Sequence, residues 1–359
     1  YDEKLLTSIA SGSPPDVYLL DSPDIPTFVD RGLALELTPY APRVGYRPDS
    51  IYPEIERIFR RGGRLYAFPK DFTPMVLYYN RATFRERGVP YPPDSSWTRE
   101  AFLETARRLT ADTDGDGRTD VWALDFPRNL YRWIAWVWSG GSDILAPDGG
   151  RAAGHLDSEA TVATFRFLTD LVTRWEVAPS PQFVEAGDPA RLARFYSGRQ
   201  AMLGSGHWTM RQLDPYVASG DLEVGVAPIP HRRGAEPETV LYASGWAIPP
   251  NAPHPRLAVQ LAAWLASPEA QRIRGESRLA IPSHRGVARR MAERDTTGVE
   301  RAFLRRIEGA RTTWGARVRD FAEIEQISFR IMDAHLLRGT PLEETAREAA
   351  REVDRELGR

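Results

Sequence analysis

Two hydrophobic periods alternate along the chain. Leu5, Leu6 and Ile9 recur at helical spacing, and Ser11-Gly12-Ser13-Pro14-Pro15 stops that helix. Asp16 to Leu20 is a short β-rich run closed by Asp21-Ser22-Pro23, which predicts a buried strand. Asp24 to Gly32 reads as a helix, Gly62 to Pro69 as a hairpin, and Met75 to Tyr79 as another buried strand. Helices follow at Ala82 to Arg87 and Thr98 to Leu109, the second opened by Ser96 or Thr98 with Glu100 in its first turn. Val121 to Leu124 predicts a strand; Leu130 to Ser139, Ser158 to Arg174 and Ala190 to Ser197 predict helices. Strand patterns return at Ala201 to Leu203, Val224 to Ala227 and Leu241 to Ile248, and the last hundred residues read as almost entirely helical. Helices alternating with buried strands predict an α/β sandwich.

With 359 residues the chain is long enough for about two domains of ~150 residues each. No repeat or low-complexity tether divides it, so two lobes are expected to be joined by segments crossing directly between them. Hydrophobic residues make up 42% and charged residues 27%, which excludes wholesale disorder and a multi-span membrane protein. The formal net charge of −2 leaves no electrostatic footprint for nucleic acid. No cysteine is present, which removes disulfides, thiolate catalysis and cysteine-ligated metals. Lys4 and Lys70 are the only lysines; every other basic residue is arginine.

The motif search excludes several enzyme classes. No phosphate-binding G-x-x-x-x-G-K-[ST] loop occurs, and the G-x-G at Gly115 and Gly117 reaches Asp120 where a dinucleotide loop needs glycine. There is no G-x-S-x-G elbow, and the six histidines are isolated, with no paired zinc spacing. A pair of carboxylates, as a glycosidase uses, is not excluded by sequence.

Several stretches in order carry a family resemblance. Lys4 to Asp16 resembles a helix running into A-x-G-x-x-P-D, and Gly32 to Tyr40 resembles G-x-L-x-x-L-T-P-Y. Tyr66-Ala67-Phe68-Pro69 with Leu77-Tyr78-Tyr79-Asn80-Arg81 resembles Y-G-x-P … L-Y-Y-N-K. Trp97-Thr98, Gly206-His207-Trp208 and Ala262 to Gln271 complete a set that covers nearly the whole chain. Together they resemble the extracellular solute-binding proteins of ABC importers, in the carbohydrate-binding family that includes maltose-binding protein. The resemblance implies a periplasmic-binding-protein-like α/β fold of type II, with two lobes and a ligand cleft between them. It places residues 1–124 and 241–288 in lobe I and residues 125–240 and 289–359 in lobe II. Family members carry a further strand, helix and strand before the position of Tyr1, so the chain is expected to lack part of the lobe I sheet and to be poorly stable alone.

Sugars present polar edges and weakly apolar faces, so their sites combine aromatic platforms with carboxylate and hydroxyl hydrogen-bonders. The family places an aromatic where Tyr131 and Trp133 stand, and its second-lobe stacking aromatic where Trp208 stands. Trp133 otherwise reads as core, and Trp208 as a turn-packing ring. Asp21 and Ser22 end a strand, where open α/β sheets hold ligands, or else simply cap the next helix. Asp71 and Phe72 are a further strand-end pair at a family cleft position. Ser244, Gly245 and Trp246 match the family's returning strand, and Trp314 with Arg317 is expected to close over the ligand. In the loop 112–120, Asp112, Asp114, Asp116 and Asp120 have the front spacing of a calcium loop, but Ala123 replaces the closing glutamate. A structural calcium ion and a plain Asp/Gly turn are both open; no cofactor is required.

The resemblance implies a non-enzymatic, monomeric, exported protein of the periplasm or cell surface, with or without a lipid anchor, handing a carbohydrate to ABC permease subunits and touching no nucleic acid. Alternatives are the same clamp holding a glycerol-phosphate-type solute, a carboxylate-dependent glycosidase, or a sensor adaptor.

Overall fold

The computed structural model describes residues 1–181 and 187–358, with the backbone alone at residues 2, 3, 187 and 188. Eleven strands occur among them: β1 (Tyr18–Asp21), β2 (Arg60–Arg61), β3 (Arg64–Leu65), β4 (Ala67–Pro74), β5 (Val76–Asn80), β6 (Trp122–Leu124), β7 (Gln200–Ser205), β8 (Val224–Ala227), β9 (Thr239–Ala247), β10 (Ile281–Pro282) and β11 (Ala310–Thr312). Helices cover the sheets, as the alternating pattern predicts. Two compact units result. The first comprises residues 1–73, 241–294 and 312–322, and the second residues 74–240, 295–311 and 323–359.

The first unit is built on a sheet in the order β1-β9-β4-β10. β1 runs antiparallel to β9 with Tyr18 opposite Ala247 and Asp21 opposite Ser244. β10 pairs antiparallel with β4, Ile281 opposite Phe72. Every residue of β4 is buried, and β9 and β10 flank it in the sheet. That burial includes Lys70 and Asp71, which is why an apolar-run reading of the sequence ends the hairpin before them.

The second unit holds the sheet β6-β7-β5-β8. β7 and β5 are its inner strands; β5 runs antiparallel to β7 and to β8, while β6 joins β7 in parallel. This pairing corrects the expected lobe boundary. Residues 74–124, expected in lobe I, belong to the second unit, since Val76 to Asn80 pairs on both edges with strands of that sheet. Residues 289–294 and 312–322, expected in lobe II, likewise fall in the first unit.

Local chemistry fixes the helices. Asn80 Oδ1 accepts from the backbone N–H groups of Ala82 and Thr83 at 3.0 and 3.3 Å, capping Arg81–Glu86. Thr98 caps Arg99–Leu109 through Ala101. The helix Leu130–Trp138 is apolar nearly all round and is buried except at Tyr131, so it forms the centre of the second unit's core. Among the described residues no helix is long and apolar enough to cross a membrane.

Candidate functional site

In the second unit two aromatic side chains stand apart from the core. Tyr131 and Trp208 are both half-exposed, and their rings meet edge to face with centroids 6.5 Å apart. The Arg132 guanidinium lies 5.1 Å from the Tyr131 ring. Trp133 is not beside them. It is fully buried, edge-on to Phe165 at 5.1 Å, and is a core residue. The reason is helical geometry: residues two apart lie on nearly opposite faces, so Tyr131 and Trp133 cannot both look outward.

Trp208 opens the helix Trp208–Ser219, directly after β7. Its ring folds back over Gly206, and a methyl group added at Gly206 would meet the indole at 2.3 Å. Glycine there is therefore a steric requirement of the indole's position. The Gly206 carbonyl accepts from the Tyr78 hydroxyl at 2.9 Å, which ties the turn to β5.

The first unit carries the polar candidates. Ser244 Oγ donates to Asp21 Oδ1 at 2.6 Å across the β1–β9 register, so the pair forms one polar edge. Ser22 lies beneath it, fully buried, its hydroxyl accepting from the Ala243 backbone N–H at 3.2 Å. Ser22 thus joins the two strands from inside, a structural task that leaves it no exposed surface. Asp71 is buried and pairs with the ammonium of Lys70. Phe72 is a core residue, packed edge-on against Tyr52 at 5.4 Å. Gly245 is buried where an added Cβ would come within 2.6 Å of Phe59 and 2.9 Å of Ala67. Close packing of sheet against Phe59 explains that glycine without any ligand.

Trp246 sits half-buried with Lys70 Nζ 5.8 Å and Arg274 Cζ 5.4 Å from its ring. Burial lowers the pKa of the Arg274 guanidinium. Trp314 is buried in the short turn Trp314–Ala316. Neighbouring Gly315 lies so close to Pro23 that a Cβ would meet it at 2.6 Å. The exposed Arg317 stacks its guanidinium over Trp314 at 4.3 Å. These two residues form a packed corner of the first unit. A cavity of about 500 Å³ in the second unit, lined among others by Met75, Pro228, Thr239, Leu304 and Arg306, contains none of the residues singled out from sequence.

In the acidic loop, Asp112, Asp114 and Asp116 bring one carboxylate oxygen each within 4.8 Å of one another. Asp120 does not join them: its carboxylate accepts from the hydroxyl and the backbone N–H of Thr113, which lowers its pKa. Asp112 accepts from the N–H groups of Gly117 and Gly115, with the same effect. The loop's carboxylates thus accept hydrogen bonds from its own backbone, while the Asp112, Asp114 and Asp116 oxygens lie close enough together to hold a cation.

Residues that carry no sequence signal complete the picture. Lys70 lies next to Asp71 and stands out in the sequence only as one of two lysines. His207, the variable position of the Gly206-His207-Trp208 motif, shares a buried hydrogen bond with Glu300, which no motif announces.

The profile of the bacterial extracellular solute-binding proteins matches residues 1–272. A putative binding protein of Brucella abortus (strain 2308) is 22% identical over 232 residues, 64% of this chain and 52% of that protein. The chain spans about half the length of the curated relatives it matches. Among solved structures, an ABC substrate-binding protein from Listeria monocytogenes in complex with cycloalternan superposes with a TM-score of 0.88 at 21% identity, over 100% of this chain and 89% of that one. The maltose-bound MalE3 of T. maritima superposes with a TM-score of 0.81 at 21% identity, over 99% and 88%. The fold is therefore of the type II periplasmic-binding-protein class, as the motif resemblance implied. With its family profile matched over three quarters of its length, the chain belongs to the bacterial extracellular solute-binding proteins.

Proposed function

We propose that the protein captures a sugar, an oligosaccharide rather than a free monosaccharide, as the substrate-binding component of an ABC importer. The observation that carries this reading is the half-exposed pair Tyr131 and Trp208, whose rings meet at 6.5 Å in the second unit. Aromatic faces of this kind suit the C–H faces of pyranose rings. Family membership, and the carbohydrates named in two solved relatives, support the same class. The protein works as an exported monomer that delivers its ligand to permease subunits, binds no nucleic acid, needs no cofactor and releases the ligand chemically unchanged.

Titration calorimetry with maltose, maltotriose and cycloalternan tests the reading. Saturable heat with at least one of them, and unchanged saccharide after prolonged incubation, is the expected result. Absence of heat across all three and across a broad saccharide panel removes the sugar class. Heat from a glycerophosphodiester alone replaces it with a phosphorylated solute, and appearance of hydrolysis products makes the protein an enzyme.

A further inference from the structure

We propose that His207 and Glu300 are positioning residues for Trp208, their buried hydrogen bond anchoring the turn that presents the indole. The inference rests on the reading of Trp208 as the sugar platform.

The segment Ser205 to Thr209 is buried at every residue except Trp208. Each of its buried members is tied to something. Ser205 and Thr209 share a hydroxyl–hydroxyl bond of 2.7 Å across the turn. Gly206 is held by Tyr78. His207 is fully buried, and its Nε2 shares a 2.8 Å hydrogen bond with Glu300 Oε2. The imidazole also packs edge-on against Phe303 at 4.8 Å, and Phe303 lies 5.8 Å from Tyr78. Glu300 sits in the first turn of the helix Val299–Leu304, and Asp295 Oδ2 accepts its backbone N–H at 2.9 Å. The anchor is thus itself anchored.

A buried imidazole–carboxylate pair is a poor way to gain stability. Desolvating both groups offsets most of their attraction, and an apolar pair of similar size does as well or better. What such a pair supplies is direction: one donor, one acceptor and one geometry. Here the direction matters because the residue after His207 carries an indole already in contact with Gly206. A binding group works well only when its support holds it within about half an ångström of its productive position.

The experiment uses the full chain labelled with 5-fluorotryptophan, in which each of the ten tryptophans gives its own fluorine resonance. Trp208→Phe identifies the resonance of interest by its loss. Glu300→Ala is expected to shift or broaden that resonance while leaving those of Trp246 and Trp314 in place. It is also expected to weaken maltotriose binding by roughly 5- to 30-fold, the range for loss of one buried network hydrogen bond. Glu300→Gln, which keeps an acceptor, restores both readouts. The double variant with Trp208→Ala binds no more weakly than Trp208→Ala alone, because both changes act through one ring. Should Glu300→Ala fail to fold, the apolar swap His207→Phe with Glu300→Met takes its place; it is expected to keep the melting temperature and still disturb the Trp208 resonance. An unmoved Trp208 resonance together with an unchanged Kd in a folded variant overturns the proposal. If Trp208→Ala itself leaves Kd unchanged, the platform reading fails, and the resonance still decides whether the pair holds the indole.

Discussion

The two units present opposite kinds of candidate surface. In the first, the polar residues singled out from sequence are occupied with one another: Asp21 with Ser244, Asp71 with Lys70, and Ser22 with the backbone of Ala243. In the second, two aromatic rings stand half-exposed, Tyr131 on the helix Leu130–Trp138 and Trp208 after a turn anchored by Tyr78 and by the His207–Glu300 pair. The difference teaches which feature to weigh. A polar side chain already bonded inside its own sheet must exchange that bond to meet a ligand, and the exchange returns little net free energy. The uncovered part of a half-exposed indole loses only water when a sugar face covers it. The second unit is therefore expected to supply most of the affinity.

The largest effect separates core tryptophan from platform tryptophan. Trp133→Ala removes a fully buried ring from the second unit's central helix and is expected to cost about 3–5 kcal/mol of stability. A calorimetric melt checks it, and a small drop in melting temperature would return Trp133 to the surface candidates. Trp208→Ala, by contrast, is expected to leave the melt close to wild type and to weaken maltotriose binding by about 1–3 kcal/mol, roughly 5- to 150-fold. An intact Kd with a large loss of stability reverses the assignment of the two rings. In the first unit, Gly245→Ala pushes a methyl group against Phe59 and Ala67 and is expected to cost about 1–3 kcal/mol of stability by overpacking. Its binding should be unaltered wherever the variant is folded; loss of binding without loss of stability would mean that a ligand approaches this backbone.

Much of the fold is legible in the sequence. The strand Val224–Ala227 and the helix Arg99–Leu109 appear within a residue of their predicted bounds, because their periodicity and capping residues agree with their burial. β4 is not legible past Pro69. Lys70, Asp71 and Thr73 break its apolar run, and their burial depends on a salt bridge and on neighbouring strands far away in sequence. The lobe boundary fails for a related reason: β5 follows β4 after one residue, and only long-range pairing shows that the two belong to different sheets. In the site, Trp208 is marked by its local G-x-W motif. Its support is not, since Tyr78 and Glu300 lie 130 and 92 positions away in the chain, and single-sequence reading carries no information on such pairings.

A smaller effect tests whether the polar edge of the first unit is as fully engaged with itself as its geometry indicates. Asp21→Ala removes the acceptor of the Ser244 hydroxyl at an exposed strand end. The stability loss is expected to be about 0.5–1.5 kcal/mol, the usual net value of one hydrogen bond. Maltotriose affinity should fall less than in Trp208→Ala. A larger fall would shift the main binding contribution to the first unit and undo the contrast between them.

The smallest effect concerns carboxyls wholly or partly withdrawn from solvent, where the units again differ. Asp71 of the first unit has the ammonium of Lys70 beside it. Glu325, in the helix Phe321–Arg338 and within the second unit, has its pKa raised, and burial is the cause. A carboxyl whose folded pKa lies above its unfolded value binds its proton more tightly in the native state. The stability this contributes is complete below the unfolded pKa, the ordinary 4.5 of a glutamate, and is lost as pH rises through the folded pKa. At neutral pH, burying the side chain costs folding free energy, whether as a desolvated charge or through uptake of a proton. Glu325→Gln removes that cost and keeps the shape, so the variant should melt higher than wild type at pH 7 to 8. The gain should shrink steadily as the pH is lowered and vanish near pH 4. Paired melts across that range decide the matter: a gain independent of pH would come from packing, whereas a loss at neutral pH would mean that the Glu325 charge stabilises the second unit.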